Sequence, residues 1–88
     1  MASYSVVIKR SAAKELESIA GKKDRQRIVA RIAALADDPR PPGAEKLSAT
    51  SDKYRIRQGN FRIVYEIRDE VLVVTIIKIG DRKDVYRR

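Results

Sequence analysis

The residues of this chain best suited to chemistry are arginines. Arg55 and Arg57 lie in Lys53-Tyr-Arg-Ile-Arg-Gln58, Arg62 in Phe61-Arg-Ile-Val-Tyr-Glu-Ile67, and Arg82 in the terminal Asp81-Arg-Lys-Asp-Val-Tyr86. A guanidinium keeps its charge at any physiological pH, and its planar fork of N–H donors fits phosphate oxygens two at a time. A phenol set among guanidiniums ionises more readily than an isolated one, so Tyr86 is a candidate proton acceptor or base-stacking platform. Packing against the fold is the competing role for it. Lys53 adds one more base to the first segment. A second basic group, Lys23, Arg27 and Arg31, recurs every four residues. Such a stripe costs a few tenths of a kcal/mol per like-charged pair on a helix, and suits phosphate contacts, an acidic partner or a merely solvated face. Carboxylates offer less. Glu15 and Glu17, or Asp37 and Asp38, are close neighbours in sequence without the spacing of a paired acid and base.

What is missing narrows the chemistry further. The chain has neither Cys nor His, which excludes thiol nucleophiles, imidazole bases, disulfides and thiolate or imidazole metal sites. No phosphate-binding glycine loop or dinucleotide fingerprint is present, and no cofactor or metal is expected. Twenty Lys and Arg against twelve Asp and Glu give a net charge of +8. Residues 1–50 and 51–88 each hold ten bases and six acids, so each part carries +4 and no basic tail hangs from a neutral body. Self-repulsion on that scale destabilises a small fold, and its persistence points to a polyanionic partner. The 88 residues are expected to form one domain over 1–88, because domains typically run to roughly 100–150 residues. No apolar run is long enough to span a bilayer, no secretion signal is visible at the start, and a cysteine-free chain fits the reducing cytoplasm. Cytoplasmic residence without membrane contact is the expectation.

These side chains need a scaffold, and the pattern supplies one of the α+β class. Tyr4 to Lys9 reads as a first strand. Ser11 is a candidate N-cap, and Ala12, Leu16, Ile19 and Ala20 form one apolar stripe up to a stop at Gly21. A second helix is expected from about Asp24 to Ala36 with Ile28, Val29, Ile32, Leu35 and Ala36 inward. The loop Asp37-Asp-Pro-Arg-Pro-Pro-Gly43 ends it, and Leu47 is expected to anchor the continuing loop. Gly59-Asn60 is a two-residue hairpin signal. It pairs Gln58 with Phe61, Arg57 with Arg62, Ile56 with Ile63, Arg55 with Val64, Tyr54 with Tyr65 and Lys53 with Glu66. One face is then Tyr54, Ile56, Phe61, Ile63, Tyr65 and Ile67; the other is basic, with Glu66 its only acid and the expected ion-pair partner. Val71 to Ile79 is apolar on both faces, as a central strand would be. A two-residue turn before it sets Ile77 beside Arg62, and a three-residue turn reverses every side chain. Its end returns Arg82, and with it Tyr86, toward Arg57 and Arg62. The expected architecture is a small antiparallel-rich sheet in β-α-α-β-β-β order with an N-terminal helical hairpin on one face.

The segments Tyr54-Arg-Ile-Arg-Gln-Gly-Asn-Phe-Arg-Ile-Val-Tyr65 and Ile79-Gly-Asp-Arg-Lys-Asp-Val-Tyr86, with Glu45-Lys-Leu-Ser48 upstream, resemble the RelE family of the RelE/ParE toxin superfamily. The resemblance extends over essentially the whole chain. It implies a type II toxin: a metal-independent, ribosome-dependent mRNA endonuclease held inactive by an acidic antitoxin. The toxin itself would be monomeric and oligomeric only through that antitoxin. Family positions fall on Arg55, Arg57, Arg62, Arg82 and Tyr86, where the best-known members carry Lys in place of Arg55 and Arg57. The 2′-hydroxyl of RNA would attack the adjacent phosphate, leaving a 2′,3′-cyclic phosphate and a 5′-hydroxyl. Tyr86 would accept the proton, Arg82 would assist the leaving oxygen, and clustered guanidiniums would stabilise the dianionic phosphorane. Lys53, Lys23, Arg27 and Arg31 would contact RNA. The superfamily leaves two alternatives: a ParE-like inhibitor of DNA gyrase, or a catalytically weakened homologue that only binds.

Overall fold

In the computed structural model, which describes residues 3–81, the chain runs β1 (Ser5–Ile8), α1 (Arg10–Glu17), α2 (Lys22–Ala34), β2 (Glu45–Lys46), β3 (Lys53–Gln58), β4 (Phe61–Arg68) and β5 (Val73–Asp81). The strands form one sheet in the order β1-β5-β4-β3-β2. β1 is parallel to β5 and the other neighbours are antiparallel. This is the expected α+β fold, with one addition: the two-residue β2, too short to leave a period in sequence, extends the sheet beside β3.

Alternation builds the centre. Ile56, Ile63, Tyr65 and Ile76 are fully buried and meet Ile28, Ile32 and Leu35 of the α2 stretch. The hairpin register is the one read from the sequence at all six pairs. Gly59, the first turn residue, sits at φ 62° while Asn60 does not take a positive φ, the arrangement of a type II′ turn that matches strand twist.

Several local expectations are corrected. α1 begins at Arg10, and its N-cap is Lys9 without a side-chain cap, not Ser11. The reason is proximity to the sheet: the Lys9 N–H still donates to Ile76 O at 3.0 Å while its carbonyl already accepts from Ala13. Lys9 alone separates strand from helix, and its side chain has no oxygen to cap the first turn. Gly21 does not stop α1, which ends at Glu17; it is the N-cap of α2. A Cβ at Gly21 would stand 2.9 Å from Asp24 Oδ2, so only glycine admits that carboxylate so close. Arg25 closes the connection by donating to the carbonyls of Ile19 and Ala20. Val29 is 50% exposed, because the buried stripe of α2 follows Ile28 and Ile32, and Val29 stands beside it. Leu47 is also exposed, and its loop is held by backbone instead, through Leu47 N–H to Lys53 O at 2.9 Å.

The last strand starts later than expected. Residues 69–72 connect β4 to β5, with Leu72 at φ 57°. Arg62 therefore faces Gly80, not Ile77, and Ile77 is bulged out between the Tyr65–Ile76 and Val64–Lys78 pairs.

Candidate nucleic-acid interface

Because Ile56 and Ile63 point into the core, their neighbours Arg55, Arg57 and Arg62 point to the sheet face opposite α1 and α2. Arg57 stands directly opposite Arg62, and Gly80 flanks Arg62 on its other side without a side chain to fill the space. Arg62 is 2% exposed, whereas Arg57 is open to solvent. A small recess at the hairpin tip, lined by Arg57, Gly59, Asn60, Phe61 and Arg62, gives access between them. Arg55 hydrogen-bonds and ion-pairs with Glu45 of β2. Its Nε is buried without a hydrogen-bond partner among the described residues.

Electrostatics reports the same convergence. The Arg55 hydrogen bond, reinforced by its charge, holds the Glu45 carboxyl below its ordinary range, and the charges of Arg57 and Arg62 push the same way. One exposed carboxylate thus senses three guanidiniums from two strands. Such a cluster stabilises added negative charge, and it does so most strongly where water is excluded.

The structure does not gather every residue the sequence nominated. Lys53 is exposed at the far end of β3, opposite Glu66. Glu66 lies 3.9 Å from Arg68 Nε, and the acid that pairs with Arg55 is Glu45, which sequence reasoning missed. Lys23 and Arg27 are exposed on α2, in the layer that covers the opposite face of the sheet. Only Arg31 of that stripe touches the hairpin, donating from Nη2 to Arg57 O at 3.3 Å. Arg82 and Tyr86 lie outside the described residues; β5 is described as far as Asp81, which pairs with Phe61 at the level of the cluster. Among the described residues no group of His, Cys, Asp or Glu could hold a metal ion, and no helix is long and apolar enough to cross a membrane.

Two further networks fix the sheet ends. Near the cluster, Glu15 of α1 accepts from Lys78 Nζ and from the Ile79 N–H, both at 2.8 Å. No periodicity could have announced this, since the partners are more than sixty residues apart. At the other end, Asp69 accepts from Tyr4 at 2.5 Å and from both terminal nitrogens of Arg40. Arg40 also donates from Nε to Tyr54 at 3.1 Å and lies over its ring. These contacts hold the Asp69 carboxyl down to about 2, the Arg40 hydrogen bond being the larger cause. The buried Tyr65 hydroxyl donates to Pro39 O at 2.7 Å, and burial pushes that phenol up to about 12.

Residues 6–86 match the family described as ParE toxin of type II toxin-antitoxin system, parDE. A protein of Escherichia coli described as a putative RelE-like toxin is 33% identical over 87 residues, covering 94% of this chain and 90% of its own. The mRNA interferase toxin RelE of E. coli K12 is also 33% identical, over 75% of this chain and 73% of its own. The fold matches the archaeal RelE–RelB complex of Pyrococcus horikoshii OT3 with a TM-score of 0.83 at 28% identity, covering 98% of this chain and 99% of that one. Shared sequence over nearly the full length, together with the shared fold, makes this chain a member of the RelE/ParE family of type II toxins.

Proposed function

We propose that this toxin cuts messenger RNA on the ribosome. The observation that carries the reading is Arg57 opposite Arg62, with Arg55 next to Arg57 on the same sheet face, away from α1 and α2. The names of its relatives, mRNA interferases among them, support the same reaction class. The substrate brings its own nucleophile, the 2′-hydroxyl, so the protein's work is to hold the scissile phosphate and to stabilise the phosphorane. Arg62, shielded from water, is placed to interact most strongly with developing charge. Arg57 meets the substrate from solvent, and Glu45 steers the Arg55 guanidinium. Arg82 would assist the leaving oxygen and Tyr86 would take the 2′-hydroxyl proton. No metal is required by this scheme. A site without imidazole lacks the usual general base, and proton transfer typically contributes about 10²–10⁴-fold. Orientation of the mRNA by the ribosome fits that weakness.

The partner proposed is an acidic antitoxin, as the RelE–RelB pairing of the solved neighbour suggests, and the setting is the cytoplasm. Mapping mRNA 5′ ends after induction tests the reading: cuts inside codons of translated frames are expected, falling at least about tenfold in Arg62→Ala and Tyr86→Ala. The family described as ParE toxin favours a second reading, inhibition of DNA gyrase. Gyrase-dependent DNA breaks with intact mRNA would select it.

A further inference from the structure

The outer edge of β5 changes partner along its length. β1 lies beside it from Val73 to Ile76, and Lys9 adds a last bond by donating to Ile76 O. Beyond the bulge at Ile77 no strand stands there among the described residues, although β5 runs on to Asp81. The inner edge of that same stretch borders the arginine cluster, because Ile79, Gly80 and Asp81 pair with Ile63, Arg62 and Phe61. An outer-edge N–H without a partner would leave such a strand end free to fray.

One carboxylate stands where the missing strand would be. Glu15 follows buried Ala12 by three residues on α1, so both side chains leave the helix on the side that packs against β5. Its Oε1 accepts from the Ile79 N–H and its Oε2 from Lys78 Nζ, each at 2.8 Å. A hydrogen bond to an ionised acceptor is roughly twice as strong as a neutral one. Toward Asp81, a cleft of about 400 Å³ opens between the α1–α2 connection and the strand. The bond from Glu15 therefore falls at the border between packed strand and open space.

We infer that Glu15 is a positioning residue for RNA cleavage. By standing in for the absent strand it sets the end of β5, and with it Gly80 beside Arg62 and the point from which the chain continues to Arg82. The inference rests on the RNA-cutting reading. Glu15 lies on the helix side of the sheet, so it acts through the strand and not on the substrate. Guanidiniums stabilise a phosphorane best when they are held in place before it forms, and a misplacement of about 1 Å can cost about 10²-fold in rate. Lys78 has a lesser part: it balances the carboxylate charge, whereas the bond to the Ile79 N–H fixes the backbone.

The test sets translation-coupled mRNA cleavage beside amide hydrogen exchange, both on the full chain. Glu15→Ala is expected to lower kcat at least about tenfold, with KM for programmed ribosomes little changed. In that variant the Ile79 amide should exchange at least about tenfold faster, while the Ile63 and Tyr65 amides in the centre of β4 keep their protection. Glu15→Gln keeps an oxygen acceptor for the N–H and should recover most of the kcat. Lys78→Met leaves that bond intact and should cut within about twofold of the wild-type rate. Wild-type kcat in Glu15→Ala, no recovery in Glu15→Gln, or a fall in Lys78→Met as deep as that in Glu15→Ala would each overturn the assignment. So would protection lost equally across β4 and β5, which would reduce Glu15 to general stability. A wild-type chain that cuts no mRNA, with exchange still released at Ile79 alone in Glu15→Ala, would remove the cleavage reading and leave the strand clamp standing. Cleavage by wild type and Glu15→Ala at equal rates would do the reverse.

Discussion

Arg57 and Arg62 repel each other across the hairpin, and like charges directly opposed on a sheet are destabilising. Removing one should therefore help the fold and hurt the function. Arg57→Ala is expected to raise the unfolding free energy by a few tenths to about 1 kcal/mol in urea titrations, while RNA affinity falls. A drop in stability would show that the pair is held by something other than a ligand requirement. Asp69 and Tyr65 set opposite pH limits. The Asp69 carboxyl is depressed from 3.8 to about 2, so its contribution is present above 3.8 and lost as pH falls through about 2. Asp69→Asn should flatten that acid limb of a Tm–pH curve. The Tyr65 phenol is raised from 10.0 to about 12, so its contribution is complete below 10 and disappears as pH rises toward 12. Tyr65→Phe should remove the alkaline limb, and should cost about 1 kcal/mol at neutral pH through the lost bond to Pro39 O.

At the scale of elements, turns carry the strain. Leu72 at φ 57° is a bulky residue in a left-handed conformation, and its carbonyl must still accept from the Ser5 N–H at 2.8 Å. Leu72→Gly is expected to stabilise the fold by up to about 1 kcal/mol, measured by chemical denaturation. Gly59→Ala at φ 62° should do the opposite by a similar amount. The two turns also differ in legibility. Gly59-Asn60 between alternating strands states its own register, which is why Arg57 and Arg62 could be paired from sequence. The Asp69–Leu72 connection carries no glycine, and Val71 to Ile79 reads as apolar on both faces, so no period distinguishes one register from the next. Gly21 misled for another reason: glycine serves at either end of a helix, and sequence does not say which helix it belongs to.

For the whole molecule, the charge of +8 makes ionic strength a lever. Binding of single-stranded RNA through the three clustered arginines should weaken with salt at a log–log slope of about −2, and Arg57→Ala should reduce that slope by about 0.7. A salt-independent affinity would place recognition elsewhere. Family, fold class and the hairpin cluster were legible because they rest on local alternation and contiguous motifs. Glu15 was not, since it acts across more than sixty residues, and Glu45 was not, since it sits on a two-residue strand too short to leave a period. β5 is itself such a long-range element, lying between β4 and the parallel β1, so the first strand of the sheet to be synthesised waits for β5. A nascent chain that has not yet released residues 73–81 leaves β1 unpaired and β4 bare on one side. Loss of residues 73–81 therefore cuts β1 off from the rest of the sheet, and a chain stopped short of β5 is expected to lack both the fold and the toxin activity.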